Sequence, residues 1–337
     1  MHLNERIAAF EQLGKYILSY DEELKNAIQQ AYLNNNWFTE ASCEMQLQTI
    51  ATDYLDGVKL YNWVKNYTLL YEDKLPPRIV GVVCAGNLPL VGFHDILSVL
   101  ICGYTAQIKL SEKDKELPLF LLQKLIDIQP MFASLINIVS KLENFDAIIA
   151  TGTNQTAAHF RTYFNKYQHI IRNHRNGIAI LTGTETEEDL FNLGKDVFSY
   201  FGLGCRNVSL LFVPKNYDFT SLIKAWQAFK DVLMNHNSYR NNLDYQRTIY
   251  LMKQTPMIDI DFVNMTENDS MYSPVSCLHY TYYDDINEVY TYINKYEAQI
   301  QCIIGKDYLA FGKSQLPKLD EYADNTDTLA FLTQLHG

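Results

Sequence analysis

Paired cysteines are missing from this chain. Its 337 residues include six cysteines, Cys43, Cys84, Cys102, Cys205, Cys277 and Cys302, widely scattered and with no Cys-x-x-Cys pair. That spacing argues against a disulfide scaffold and a zinc site, and for reduced thiols. Basic clusters are also missing. Lys and Arg total 28 against 39 Asp and Glu, a net charge of −11, and counterion release from nucleic acid needs clustered cations, so no nucleic-acid partner is expected. No uninterrupted hydrophobic run is long enough to span a bilayer: the most apolar stretch, Ile79 to Cys102, is broken by Asn87, Pro89, His94 and Asp95. The start Met1-His2-Leu3-Asn4-Glu5-Arg6 lacks the basic opening and apolar core of a signal peptide, so a cytoplasmic location is expected. There is no Gly-x-Ser-x-Gly elbow, no His-Glu-x-x-His and no Gly-x-Gly-x-x-Gly turn. Gly81 and Gly86 have P-loop spacing, but Asn87-Leu88 stands where Lys and Ser or Thr are required.

Apolar material is plentiful. At 47% hydrophobic residues the chain can fill two α/β cores or one large one. Residues 3 to about 66 repeat apolar positions at helical spacing, Ile7, Phe10, Leu13 and Ile17, then Leu24, Ile28 and Ala31, which predicts a helical layer over a sheet. Tyr71-Glu72-Asp73-Lys74-Leu75-Pro76-Pro77 marks a boundary, because paired prolines end helices and extend the chain. The expected organisation is an N-terminal helical layer over 1–75, an α/β domain over 76–183, a second over 184–305, and a segment over 306–337 that returns to the first domain or packs at an oligomer interface.

Four segments carry candidate chemistry. Gly202-Leu203-Gly204-Cys205 lies between a Phe-rich helical stretch and the strand-like run Val208 to Pro214; glycines permit close backbone approach, so one thiol is presented on a tight loop, although most cysteines are simply small buried hydrophobes. The strand-like run from Ile79 ends at Ala85-Gly86-Asn87, and a helix is expected from about Leu88 to Cys102. Next comes the strand Ala106 to Leu110, with Ser111-Glu112-Lys113-Asp114 opening a helix, so that Lys109 and Glu112 lie at a strand end, where open α/β sheets bind ligands. The strand Asp146 to Ala150 feeds Thr151-Gly152-Thr153-Asn154 and a helix through Tyr163. That helix start offers N–H groups to an anion, but Thr153 or Asn154 as an ordinary cap explains it equally. Thr184-Glu185-Thr186-Glu187 matches a capping box for the helix that leads to Cys205.

Taken in order, Ala85-Gly86-Asn87-Leu88-Pro89-Leu90, Gly103, Lys109-Leu110-Ser111-Glu112, Thr151-Gly152-Thr153, Gly204-Cys205 and Ser273-Pro274-Val275 resemble the aldehyde dehydrogenase superfamily. Gly86 through Asp95 and Tyr322 through Leu332 narrow the likeness to acyl-CoA reductases of the bacterial luminescence fatty acid reductase type, over the chain from about Val80 to its end. The resemblance implies an aldehyde dehydrogenase-like α/β fold of two domains with open twisted sheets, the first (76–183) nucleotide-binding and the second (184–305) carrying the nucleophile. It implies reduction of acyl-CoA, or an acyl-carrier thioester, to an aldehyde with NADPH or NADH. Cys205 would be the nucleophile, and the Asn87 side-chain amide with the Cys205 backbone N–H the oxyanion hole. Ala85, Gly86, Lys109, Ser111, Glu112, Thr151, Gly152, Thr153 and Tyr272 would bind cofactor. Lys109 would hold the adenosine ribose; Glu112 suits the 2′-hydroxyl of NADH, and Lys109 with Ser111 a 2′-phosphate.

Two departures bear on direction. Oxidising members keep a glutamate base for water where this chain has Ile171, in Ile171-Arg172-Asn173-His174-Arg175, and an acidic residue where it has Ser270, before Met271-Tyr272-Ser273-Pro274-Val275. Both losses suit an acylating enzyme, in which a thiol exchanges with the acyl group. His174 and His94 are the candidate proton donors, though a lone histidine is more often structural. No metal site is expected from the scattered cysteines, and the resemblance implies a homo-oligomer and an acyl-protein synthetase partner. Two other readings stand beside it: a cofactor-free cysteine acyltransferase or thioesterase, which needs Cys205 and Asn87 but not Lys109, and a non-catalytic acyl-binding subunit.

Overall fold

The computed structural model describes residues 1–71 and 76–336, so the expected boundary at 75/76 lies outside the described residues. The chain forms two compact units, Met1–His174 with Pro317–Gly337, and Arg175–Leu316.

The first unit opens with α1 (Leu3–Ser19), α2 (Glu22–Asn34), α3 (Glu40–Thr49) and α4 (Gly57–Val64). Asp21, Thr39 and Asp56 start the last three by accepting the N–H of Leu24, Ser42 and Lys59, which satisfies donors a helix leaves orphaned. Ile7, Phe10, Leu13, Ile17, Leu24, Ile28 and Ala31 are all buried, as their spacing predicts. Behind them lies a parallel sheet of β1 (Ile79–Val83), β2 (Thr105–Lys109), β3 (Ile136–Ile138), β4 (Ala147–Thr151) and β5 (Gln168–Arg172), in the order β3-β2-β1-β4-β5. The crossover helices are α5 (Phe93–Ile101), α6 (Glu116–Ile128) and α7 (Asn154–Phe164). Phe10 and Leu13 share one core with Val80, Val82, Ile108 and Ile149 of the sheet and with Leu329 and Leu332 of the C-terminal segment. The N-terminal helices are therefore part of the first unit's core.

Two helix starts differ from expectation. The helix after Asn87 begins only at Phe93, because Leu90 takes a left-handed φ of 55° that no helix continues through. Ser111 to Asp114 is a turn, closed by the Asp114 N–H donating to the Ser111 carbonyl at 3.0 Å, and the helix follows at Glu116.

The second unit holds a six-stranded sheet of β6 (Asn176–Ile180), β7 (Val208–Pro214), β8 (Ile258–Asp259), β9 (Asn264–Glu267), β10 (Cys277–Tyr283) and β11 (Ile300–Ile304), in the order β11-β6-β7-β10-β9-β8. All neighbours are parallel except the β8–β9 pair. Its helices are α8 (Glu187–Phe198), α9 (Thr220–Trp226), α10 (Lys230–Met234), α11 (Asn237–Met252) and α12 (Ile286–Tyr296). The capping box of α8 is Thr186 with Asp189, two residues beyond the Thr184 start expected. Glu185 instead accepts the N–H of Thr182 and Gly183. Strand β6 pairs with β7 and β11, so the units divide at 174/175 and 316/317, whereas the sequence reading divided domains at 183/184 and 305/306.

Candidate active site

In the first unit the chain winds from β1 outward to β2 and β3, and from β4 outward to β5, so the sheet order reverses between β1 and β4. Such a switch point opens a crevice beyond the carboxyl ends of the strands. Ala85, Gly86 and Asn87 follow β1, Lys109 ends β2 with Ser111 and Glu112 just beyond it, and Thr151 ends β4 with Gly152 and Thr153 next. The register pairs Val83 with Lys109 on one side and with Ala150 on the other. The candidates that follow β1, β2 and β4 thus share the carboxyl end of one sheet, and Asn87 and Lys109 are exposed there.

Contacts fix this end. The Cys84 N–H donates to the Lys109 carbonyl at 3.0 Å. A Cβ on Gly86 would lie 2.2 Å from Ser111 Oγ and 2.6 Å from Ser111 Cβ, so only glycine lets the two strand-end loops close on each other. The Glu112 carboxylate meets Lys115 at 3.3 Å, and the Glu112 carbonyl accepts from Asn34 Nδ2 at 2.8 Å. Thr153 caps α7, its Oγ1 accepting the Thr156 N–H at 3.2 Å, and the Gly152 N–H donates to the Arg172 carbonyl at 3.3 Å.

The second unit carries Cys205 in the turn between α8 and β7. The turn is built around Asn207, which is 2 % exposed. Its Oδ1 accepts the Gly204 N–H at 2.8 Å, and its own N–H donates to the Gly204 carbonyl at 3.1 Å. Its Nδ2 donates to the carbonyls of Asp196, Val197 and Ser199 at 3.1, 3.2 and 2.9 Å. One amide therefore collects the last carbonyls of α8 and holds both sides of the cysteine turn. The chain between them is strained: Tyr200, Phe201 and Gly202 take φ values of 52°, 59° and 75°, a conformation costing about 1–2 kcal/mol per non-glycine residue. Asp196, buried at the end of α8, accepts the N–H of Gly312 at 2.6 Å and of Ser314 at 2.9 Å, and Arg206 Nε donates to the Ser314 carbonyl at 2.5 Å. Burial pushes the Asp196 carboxyl up, against the pull of those N–H groups. A Cβ on Gly177 would lie 2.8 Å from the Arg206 carbonyl oxygen, so β6 closes tightly on the same turn.

Exposure separates the thiols. Cys43, Cys84, Cys102 and Cys277 are buried, while Cys205 and Cys302 are partly exposed. Burial pushes Cys43 and Cys102 up to about 12 and Cys277 to about 11, and raises Cys84 as well, which makes all four poor nucleophiles. Cys302 Sγ donates to the Arg206 carbonyl at 3.5 Å.

His94 Nε2 donates to the Leu319 carbonyl at 2.9 Å, and its ring packs among Tyr54, Trp63 and Tyr322. Burial lowers its pKa, keeping the imidazole neutral. That is a full packing role, tying the C-terminal segment to α5. His174 is half-buried after β5, and burial lowers it too. Tyr272 is exposed in the second unit, its hydroxyl donating to Gln299 at 3.2 Å and its N–H to Ser270 Oγ at 3.2 Å. Arg172, next to Ile171, makes a buried pair with both Asp95 oxygens at 2.7 Å and donates to Thr328 at 2.9 Å.

Sequence reasoning missed Asn207, Asp196 and the Asp95–Arg172 pair. The signal for Asp196 was available: it stands between Leu193 and Val197 on the apolar face of an amphipathic helix, where a carboxylate must find donors.

A family model described as acyl-CoA reductase (LuxC) matches residues 8–222. Among solved structures, this chain is similar to aldehyde dehydrogenase 21 from Physcomitrella patens, in complex with its product succinate, at 12% identity and TM-score 0.71, covering 100% of this chain and 85% of that one. It is similar to aldehyde dehydrogenase C from Pseudomonas syringae, a mutant holding NAD+ and octanal, at 12% identity and TM-score 0.64, covering 91% and 73%. The aldehyde dehydrogenase of Mycobacterium tuberculosis, complexed with NAD+, matches at 11% identity and TM-score 0.63, covering 87% and 71%. No curated protein matches the chain significantly.

Proposed function

The chain belongs to the acyl-CoA reductase (LuxC) family and has the fold of the aldehyde dehydrogenases, and from that premise we propose that it reduces acyl-CoA, or an acyl-carrier thioester, to an aldehyde through an acyl-enzyme on Cys205. The observation that carries this reading is the cysteine turn: of six thiols, four are buried, and the partly exposed Cys205 lies in a turn that a buried amide grips from both sides.

Cys205 attacks the thioester carbonyl, and the charge developing on oxygen is taken by the Asn87 amide and the Cys205 backbone N–H. The first thiol leaves, and the acyl group stays on Cys205. A reduced nicotinamide, when bound, would supply a hydride to this thioester, and the C–S bond of the resulting thiohemiacetal then breaks to release the aldehyde and return the Cys205 thiolate. The donor set at the β1, β2 and β4 ends suits such a dinucleotide: a cation on Lys109, hydroxyls on Ser111 and Thr153, a carboxylate on Glu112, all at a switch point. Lys109 would hold the adenosine ribose, and Ile171, which cannot activate water, would leave the acyl-enzyme to thiols. NADPH and NADH both fit these groups. A cytoplasmic location, a homodimer and an acyl-protein synthetase partner belong to the same reading; among the described residues no helix is long and apolar enough to cross a membrane.

The test is a panel of acyl-CoA thioesters of increasing chain length with NADH and NADPH, following loss of the reduced-nicotinamide absorbance. Thioester cleavage without consumption of either cofactor would replace this reading with a cofactor-free acyltransferase or thioesterase. Within the panel, Asn87→Ala should lower turnover by roughly 10²–10³, the usual cost of one oxyanion donor, with little change in cofactor affinity. Lys109→Ala should do the reverse, raising the cofactor Kd more than it lowers turnover. Equal effects of both on cofactor Kd would give Asn87 a structural role.

A further inference from the structure

Asp114 is 3 % exposed, more deeply buried than Asp95, yet Asp95 is ion-paired with Arg172 and Asp114 pairs with no cation among the described residues. It ends the turn after β2. Its carboxylate accepts the backbone N–H groups of Leu90 and Val91, and its Oδ1 finds no partner among the described residues. The carboxylate borders a small cavity shared with Cys84, Leu90, Gly92, Phe93 and Ile96. The segment it grips is the one that fails to be helical. Leu90 is left-handed at φ 55°, and residues 88–92 make turns before α5 begins. Buried N–H groups in such a segment need acceptors from elsewhere. Asp114 provides one from the neighbouring strand-end loop.

We propose that Asp114 is a positioning residue for the reductase reaction: its carboxylate clamps the Leu90–Val91 backbone to the turn after β2 and thereby sets the loop that presents the Asn87 amide. The proposal rests on the reading of Asn87 as an oxyanion donor. It also accounts for a buried carboxylate retained without a counter-ion, since an uncompensated buried charge destabilises a fold unless something requires it. The Gly86–Ser111 contact joins the same two loops one turn away, so Asp114 and Gly86 together fix the Asn87 loop at both ends.

Burial pushes the Asp114 carboxyl up to about 7. The titratable groups facing it are the thiols of Cys84 and Cys43, both raised by burial and hence neutral. On its own turn, Glu112 and Lys115 pair with each other, Lys113 is exposed, and Glu116 opens α6. α5 and α6 present apolar Phe93, Ile96, Pro118 and Leu122. Between the unfolded value near 4 and about 7, the folded protein keeps a proton that the unfolded chain has released, so stability falls as pH rises through that window and levels off above it.

The experiment compares Asp114→Ala, Asp114→Asn, Asn87→Ala and the Asp114→Ala/Asn87→Ala double variant. Asn keeps an acceptor oxygen for the two N–H groups; Ala does not. Asp114→Ala should lower kcat by about 10–100-fold with KM for acyl-CoA little changed, the scale expected when a catalytic donor is misplaced by about 1 Å. Asp114→Asn should recover most of kcat and flatten the fall of stability between about pH 4 and 7. In the Asn87→Ala background, Asp114→Ala should cost no further factor, because it acts through a donor already gone. Equal loss in the Ala and Asn variants, or full multiplication of the two single effects, overturns the proposal. If the protein proves not to reduce acyl-CoA, hydrogen exchange at the Leu90 and Val91 amides still decides on the clamp. Faster exchange in Asp114→Ala but not in Asp114→Asn supports it, and unchanged exchange in both removes it.

Discussion

Replacing Cys205 with alanine is expected to abolish acyl-CoA reduction, by roughly 10⁴-fold or more, as loss of a covalent nucleophile does, while the melting temperature and the Kd for reduced nicotinamide stay near wild type. The thiol is only partly buried, and the Asn207 side chain and the backbone hold the turn. Surface-type changes of this kind cost within about 0.5 kcal/mol. Incubated with acyl-CoA and no reduced cofactor, the wild-type protein should gain the mass of one acyl group on the peptide containing Gly204-Cys205-Arg206, and the variant should gain none. Ile171 stands where oxidising relatives keep a base for water, so hydrolysis should clear the label slowly and free CoA should clear it quickly. By the same logic, aldehyde and oxidised cofactor should turn over steadily only with CoA present. The internal control is Cys302, the other partly exposed thiol, whose Sγ donates to the Arg206 carbonyl. A label that persists in Cys205→Ala and maps to Cys302 would move the nucleophile to β11. Rapid formation of free acid without CoA would put a water-activating residue, His174 first among the candidates, in place of the missing glutamate.

What the sequence made legible was whatever depends on local pattern. Buried parallel strands read as apolar runs, so β1, β2, β4 and β7 lie within a residue or two of their expected places, and the spacing of Ile7, Phe10, Leu13 and Ile17 identifies a buried helix face. The sheet end shared by Asn87, Lys109 and Thr151 follows from those strands being parallel and adjacent. What stayed hidden depends on partners distant in the chain. Asn176–Ile180 looks like one more strand of the first sheet, and only its pairing with β7 and β11 assigns it to the second. Residues 88–92 continue the apolar run that predicts a helix, yet Leu90 is left-handed at φ 55° and the helix begins only at Phe93. Tyr200 and Phe201 carry no mark of a left-handed backbone, because aromatic side chains rarely adopt one and do so here only under outside constraint.

That constraint is Asn207, and its replacement by alanine is the second large effect expected. Truncation leaves the carbonyls of Asp196, Val197 and Ser199 without the donor that gathers them, and the Gly204 N–H without its acceptor. Each buried polar group so orphaned costs about 1–3 kcal/mol. Water entering the gap offsets part of that, so a loss of roughly 3 kcal/mol in unfolding free energy is the expected scale, read from chemical denaturation. Activity should fall further than stability explains. Tyr200 and Phe201 are held at φ 52° and 59°, and once the amide is gone this strained segment can relax toward right-handed geometry, carrying Gly204 and Cys205 with it. Assayed well below its melting temperature, Asn207→Ala should therefore lose turnover by about 10²-fold or more, the penalty for displacing a nucleophile by about an ångström. Its acyl-labelling rate should fall in parallel. Asn207→Asp separates the two roles: it keeps the acceptor for Gly204 but brings no donor for the α8 carbonyls, and it sets a buried charge among them, so it should be no better than alanine. Full labelling by a folded Asn207→Ala protein would show that the turn holds its shape without the amide, and that Arg206 and the Asp196-bound loop at 312–314 suffice to place the thiol.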